Sequence, residues 1–299
     1  MNINKKKLIV IVGPTASGKT EASITISKIF NCDIISADSR QFYKEMTIGT
    51  AKPTKKELNE ANHHFINNIS VEDKYSSGIF SREANSFLSN YFLENDYAIL
   101  VGGSGLFIDS VIYGLDDMPK VPESFRNDLN ELFKKEGIEY LLEKLKTSDP
   151  KYFKIVDKKN HRRVIRALEI IQYTKKPYSS YLTNKKKNMN NYSLRLYGLC
   201  PSKVELKSRI NVRVDKMVEM GLFKEVENLK KYQELNPLRS VGYLEIFSYL
   251  KGKISKKEAI DLIKINTWRY SKRQITWFKR NKDIQWYRSS TELVKDIKN

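Results

Sequence analysis

Residues 13–20 read Gly-Pro-Thr-Ala-Ser-Gly-Lys-Thr. The apolar run Leu8-Ile9-Val10-Ile11-Val12 precedes them, and Ala22, Ile26, Ile29 and Phe30 follow at helical spacing. Strand, glycine-rich loop and helix in that order are the context in which this pattern means phosphate binding. The backbone N–H groups of Gly13, Pro14, Thr15, Ala16, Ser17, Gly18, Lys19 and Thr20, proline excepted, are placed to cradle phosphate oxygens. Lys19 adds a positive charge and the Thr20 hydroxyl is a ligand for Mg²⁺. The helix that starts near Lys19 aims its positive dipole end at the same anion. The chain is therefore expected to bind a di- or triphosphate, and the loop alone does not say which.

Further apolar strands alternate with helical stretches. Asp33-Ile34-Ile35-Ser36 reads as a short strand, Ser81–Leu93 as a helix, Tyr97–Val101 as a buried strand, and Leu106–Val111 as a helix. Alternation of this kind predicts an α/β fold, a P-loop NTPase-like parallel sheet flanked by helices. Ligands of such sheets sit at the carboxyl ends of the strands, which puts the loop, Asp38 and Ser104 on one rim. Lys52–Asn68, with His63 and His64, reads as a polar segment. The rhythm changes at Gly114, where a proline-bearing linker leads into a helical stretch from Phe125 to about Tyr173, then the lysine-rich Tyr178–Asn191. The predicted organisation is a core of residues 1–113, a mainly helical insertion at 114–190, and a core continuation at 191–299. That last part is helical to about Asn281, apart from strands at Leu194–Leu199 and Ile284–Tyr287.

A net charge of +19 favours a polyanionic partner. Between Lys151 and Lys187 there are twelve Lys or Arg against Asp157 and Glu169. Between Lys264 and Arg288 there are eight against Asp283. A genome rich in lysine codons accounts for part of the total and less well for the arginine clusters. No apolar stretch reaches the ~18–20 residues of a membrane span, and the run after the basic N-terminus is too short for a signal peptide. The expectation is a cytoplasmic protein. Two cysteines, Cys32 and Cys200, are too few for a disulfide framework.

Asp38 follows a short apolar strand. A helix N-cap, a Mg²⁺ carboxylate and a general base all suit its type, and the sequence leaves the three open. Gly102-Gly103-Ser104 stands where many P-loop NTPases place a strand-terminal acid that handles Mg²⁺ and water; no acid follows Val101. That argues against a standard ATP-hydrolysing machine. Arg209 and Arg213, four residues apart, face either a diphosphate or Glu205. His161–Glu169 puts basic residues opposite Val164, Ile165 and Leu168, and Trp268–Arg280 interleaves aromatics with cations. Each is a candidate nucleic-acid surface or an ordinary solvated face over core residues.

Taken in order, several segments resemble one family, the tRNA dimethylallyltransferases: Gly13–Thr20, Ile35–Tyr43, Ile48–Pro53, Leu100–Leu106, Arg162–Glu169, Val241–Tyr243 and Lys272–Phe278. The likeness runs nearly end to end. Ser104 stands where the family often has Thr, and Asn67 where it commonly has an acid. The chain lacks the cysteines of the zinc finger found in eukaryotic members. The resemblance implies transfer of a dimethylallyl group from dimethylallyl diphosphate to N6 of adenosine 37 in tRNAs with an A-rich anticodon loop, with Mg²⁺ as cofactor. The alternatives are a relative that prenylates free AMP, ADP or ATP, and a nucleotide kinase.

In this reading the loop and Arg213 hold the donor's diphosphate, Asp38 is the base, and Thr15 lies in the same rim. Ser39, Arg40, Gln41 and Ser104, together with Asp38, would surround the flipped acceptor base. Arg126, Arg162, Arg163, Arg166, Arg239, Ser240, Val241 and Gly242 are the implied tRNA contacts. The family further implies a monomer.

Overall fold

The computed structural model describes residues 6–183 and 192–298. The run Lys185–Lys187 and the expected boundary at 190/191 lie outside the described residues. The strands are β1 (Lys7–Val12), β2 (Ile34–Ser36), β3 (His63–His64), β4 (Tyr97–Gly102), β5 (Ser193–Leu199) and β6 (Gln285–Tyr287). They form one sheet in the order β3-β2-β4-β1-β5-β6, with every pairing parallel. β1 lies between β4 and β5, with Val12 opposite Gly102 on one side and Gly198 on the other.

The central strand is apolar at nearly every position because both faces are covered. Leu8, Val10 and Val12 join one core cluster with Leu100, Phe80 and Leu88, while Ile9 and Ile11 join a second with Ile26, Ile34 and Ile99. The covering helices include α1 (Lys19–Phe30), α3 (Ser77–Glu94) and α4 (Gly105–Ile112), while the short α2 (Lys55–Glu60) buries no residue. α1 begins behind Gly18, whose φ of 94° is a left-handed conformation that glycine adopts without strain, and it ends at Asn31, also left-handed.

His63 and His64, within the segment read only as polar, form an edge strand of the sheet. They pair with Ile34 and Ile35, and two polar residues carry no periodicity that would reveal an edge strand. Tertiary contacts hold them there. His64 Nε2 lies 2.7 Å from Asp33 Oδ2, and its ring packs on Phe87.

The chain divides into two compact units, with breaks after Tyr113 and in the stretch before β5. The second unit starts at Gly114 and holds α5 (Glu123–Ser148), α6 (Pro150–Ile155) and α7 (His161–Thr174). It has its own core of Leu129, Leu141, Leu145, Val164, Ile165 and Leu168. Beyond β5 the first unit continues with α8 (Lys203–Glu219), α9 (Leu222–Asn228), α10 (Tyr243–Leu250), α11 (Lys256–Phe278) and α12 (Ser290–Lys298). α11 is opened by a capping box between Ser255 and Glu258. A separate cluster packs Val214, Leu222, Val226, Ile246 and Ile263 against Tyr43, Met46 and Val71.

Candidate active site

Three loops at the carboxyl ends of β1, β2 and β4 meet on one rim, as expected for a parallel sheet. The loop after β1 is the glycine-rich one. Lys19 Nζ donates to the Pro14 carbonyl at 2.6 Å, so the lysine folds back over its own loop. Burial lowers the Lys19 ammonium to a pKa of about 7; the Arg213 guanidinium pushes the same way and Asp38 opposes it. The Ser17 hydroxyl is buried in the loop with no hydrogen-bond partner among the described residues.

Arg213, on α8, donates through Nη1 to Thr15 Oγ1 at 3.2 Å. Its neighbour on the helix goes elsewhere: Arg209 Nη2 bonds Glu205 Oε1 at 2.6 Å. Of this pair, Arg209 is the one that pairs with Glu205, and Arg213 reaches the glycine-rich loop instead.

Asp38 stands in the turn after β2. Its Oδ1 accepts the Arg40 N–H at 3.0 Å and its carbonyl accepts the Gln41 N–H at 3.2 Å. Burial raises the Asp38 pKa, while the Arg40 N–H and the charges of Lys19 and Arg40 pull it back. A carboxylate raised in this way is a better proton acceptor than a solvated one. Ser104, after β4, ties the second and third loops together. Its Oγ accepts the Ser39 N–H at 3.0 Å and bonds Ser39 Oγ at 3.1 Å.

α11 supplies two residues that sequence reasoning did not select. The Tyr270 hydroxyl is bonded to Ser104, and burial, reinforced by the Asp38 charge, lifts its pKa to about 12. The Gln274 amide reaches Thr15 N at 2.8 Å and the Gly103 carbonyl at 2.9 Å. With Trp277, whose Nε1 donates to Asp109 Oδ2 at 2.9 Å, these residues recur at i, i+4 and i+7. That stripe was a usable signal, obscured by the cations between its members. The rim thus combines a glycine-rich loop, two basic side chains and one half-buried carboxylate, and Gly102-Gly103-Ser104, directly after Val101, carry no acid.

A family model described as IPP transferase matches residues 41–281. A tRNA dimethylallyltransferase of Flavobacterium johnsoniae is 47% identical over 293 residues, covering 96% of this chain and 94% of that protein. The chain belongs to this family, the tRNA dimethylallyltransferases. Another of its members, from Christiangramia forsetii, is 48% identical over 280 residues, with 94% and 92% covered. Among solved structures, a tRNA isopentenylpyrophosphate transferase from Bacillus halodurans aligns with a TM-score of 0.72 at 35% identity, covering 98% of this chain and 94% of that one. A eukaryotic dimethylallyltransferase, described as acting on tRNA, aligns with a TM-score of 0.80 at 26% identity, over 96% and 75%.

Within this IPP transferase chain the other expected residues have varied surroundings. Gln41 is committed inside the protein: Nε2 donates to the Thr50 and Ala51 carbonyls at 3.3 and 3.2 Å, and Oε1 accepts from Ser36 Oγ. Arg126 forms a two-pronged pair with Glu169, each bond 2.7 Å, and Arg166 binds the same carboxylate. Glu169 is 1% exposed, and burial alone would raise its carboxyl; the two arginines hold it below the usual range. Arg162 and Arg163 are exposed on the first turn of α7. Arg239 pairs with Glu234 at 3.0 Å, Ser240 Oγ bonds the Pro237 carbonyl, and Val241 packs against the α9–α10 cluster. Gly242, at φ 95°, starts α10. Thr20 lies in the first turn of α1, half-buried. Cys32 is buried and Cys200 half-buried, both free thiols.

Proposed function

We propose that the chain transfers the dimethylallyl group of dimethylallyl diphosphate to N6 of adenosine 37 in tRNA, releasing diphosphate. The observation that carries this reading is the pairing of a glycine-rich loop with a half-buried carboxylate, Asp38, on a rim with no strand-terminal acid after Val101. The donor's C1–O bond breaks and the electron pair leaves with the diphosphate. The loop N–H groups, Lys19 and Arg213 stabilise that growing charge. The C1–N6 bond forms, and Asp38 accepts the N6 proton, becoming a neutral carboxyl. An exocyclic adenine amine is a weak nucleophile, so a positioned base contributes a typical ~10²–10⁴-fold.

Mg²⁺ suits the loop by donor chemistry. The Thr20 hydroxyl and the donor's phosphate oxygens are hard ligands, and Mg²⁺ keeps several waters. Among the described residues no group of three or more His, Cys, Asp or Glu gathers to hold a metal, so the ion in this reading depends on Thr20 and the diphosphate. When bound it supplies charge neutralisation for the leaving group.

The acceptor base must leave its stack at a cost of about a few kcal/mol. Ser39, Arg40 and Ser104 line the position it would take. Arg162 and Arg163, with Arg126 and Arg166 held by Glu169, offer phosphate contacts. The protein is taken to act as a monomer in the cytoplasm; no helix among the described residues is long and apolar enough to cross a membrane.

The deciding experiment offers labelled dimethylallyl diphosphate with tRNA and with free AMP, followed by mass spectrometry of the nucleosides. The expected product is dimethylallyladenosine in tRNA alone. Product from AMP at a comparable rate would move the protein to the free-nucleotide prenyltransferases. A second measurement follows from the charge. tRNA affinity should fall by about 10³–10⁵-fold between 50 and 200 mM salt if six to ten phosphates are contacted. A flat salt dependence would remove the electrostatic part of the account.

A further inference from the structure

Gln274 is 6% exposed, and its side-chain amide spans two loops of the rim. Oε1 accepts the Thr15 N–H and Nε2 donates to the Gly103 carbonyl. The partners fix the amide's orientation, because a backbone N–H requires the oxygen and a carbonyl requires the NH₂. The fit is close: a Cβ on Gly103 would stand 2.3 Å from Gln274 Nε2. The β1–β4 ladder ends where Val12 meets Gly102, so the bridge begins where the backbone pairing stops.

Each partner leads to one half of the reaction. Thr15 lies in the phosphate loop, and its hydroxyl takes the bond from Arg213. Gly103 precedes Ser104, which holds the Ser39 N–H one residue from Asp38. We propose that Gln274 is a positioning residue that sets the register between the loop holding the diphosphate and the loops holding the acceptor. It touches neither substrate. This inference rests on the prenyl-transfer reading above. Transfer requires C1 and N6 within about 3–3.5 Å and in line, and a misplacement of ~1 Å costs on the order of 10²-fold in rate.

Two variants test it, Gln274→Met and Gln274→Glu, with single-turnover rates and the affinities for inorganic diphosphate and tRNA measured for each. Gln274→Met keeps the size and loses both bonds. Its rate should fall on the order of 10²-fold with each affinity within about threefold of wild type. Gln274→Glu carries an internal control. Protonated, the introduced carboxyl reproduces the amide pattern, with C=O toward Thr15 N–H and O–H toward Gly103 C=O; ionised, it faces a carbonyl with an oxygen and no hydrogen. The variant-to-wild-type rate ratio should therefore rise on the order of tenfold as pH drops from 8 to 5.5. Because an ionised buried carboxyl also lowers stability, the diphosphate and tRNA affinities are measured at both pH values, and affinities unchanged at pH 8 separate lost register from lost fold.

A ratio that stays flat with pH would overturn the inference. So would Gln274→Met turning over within about threefold of wild type, or losing diphosphate affinity as steeply as rate. If wild type modifies free AMP and not tRNA, the acceptor reading falls, and the same ratios taken with AMP decide the role of Gln274.

Discussion

Asp38→Asn is expected to slow single-turnover transfer by about 10²–10⁴-fold while tRNA affinity stays within about threefold. Asparagine keeps the size of the side chain and the oxygen that accepts the Arg40 N–H, so the turn after β2 should persist. It removes the proton acceptor that the proposed mechanism assigns to N6. The pH consequence has a definite sign. Burial raises the folded-state pKa of Asp38 above its unfolded value, so the folded chain binds the extra proton between the two values. Stability from this group is therefore present at low pH and lost as pH rises through that window. Asp38→Asn should accordingly melt no lower than wild type near pH 7, in the direction expected when a catalytic strain is relieved. A variant that both melted several degrees lower and lost tRNA affinity would point to a structural Asp38. Near-normal single-turnover rates would show that another group takes the proton.

Lys19→Met is expected to reduce the rate by about 10²–10³-fold, the usual loss for one charge-stabilising donor at a leaving oxygen. Its pH behaviour runs opposite to a surface lysine. With a folded-state pKa of about 7 against an ordinary 10.5, the unfolded chain holds a proton between those values that the folded chain lacks. The burial penalty is thus full below pH 7, and stability of the free protein rises with pH through the window. A bound diphosphate reverses the cause, because an anion favours the charged ammonium. At pH 8 donor binding should take up about one proton at Lys19. Calorimetry in buffers of different ionisation enthalpy would read that uptake, and Lys19→Met supplies the donor's own contribution. An uptake unchanged in the variant would contradict the assignment.

The parts of the site read directly from sequence are those carried by neighbours in the chain. Strand, glycine loop and helix at 8–30 follow one another without interruption, and β4 is apolar over most of its length because both faces are covered. What stayed hidden depends on partners far away. Glu225 is an unremarkable residue of α9 in sequence, yet its carboxylate accepts the N–H groups of Thr47, Ile48 and Gly49 and the Tyr243 hydroxyl. Gln274 lies 171 residues from Gly103. The split between Arg209 and Arg213 needed the position of Thr15, since helical spacing puts both on one face. Glu169 counted as one of two acids in a basic stretch; only packing shows that it pairs with both Arg126 and Arg166 from inside.

The place of β1 at the middle of the sheet has a consequence for synthesis. Its neighbour on one side, β4, is finished by residue 102, but its neighbour on the other runs to Leu199. A ribosome adding ~5–20 residues per second needs on the order of 10–40 s to reach that point. Until then the nascent chain carries an unpaired flank on the strand that feeds the phosphate loop. The insertion that separates the two halves has its own apolar core and is complete before the second flank arrives. Catalytic competence is thus among the last properties the growing polypeptide acquires, and an exposed β1 flank is what a holdase would have to shield in the meantime.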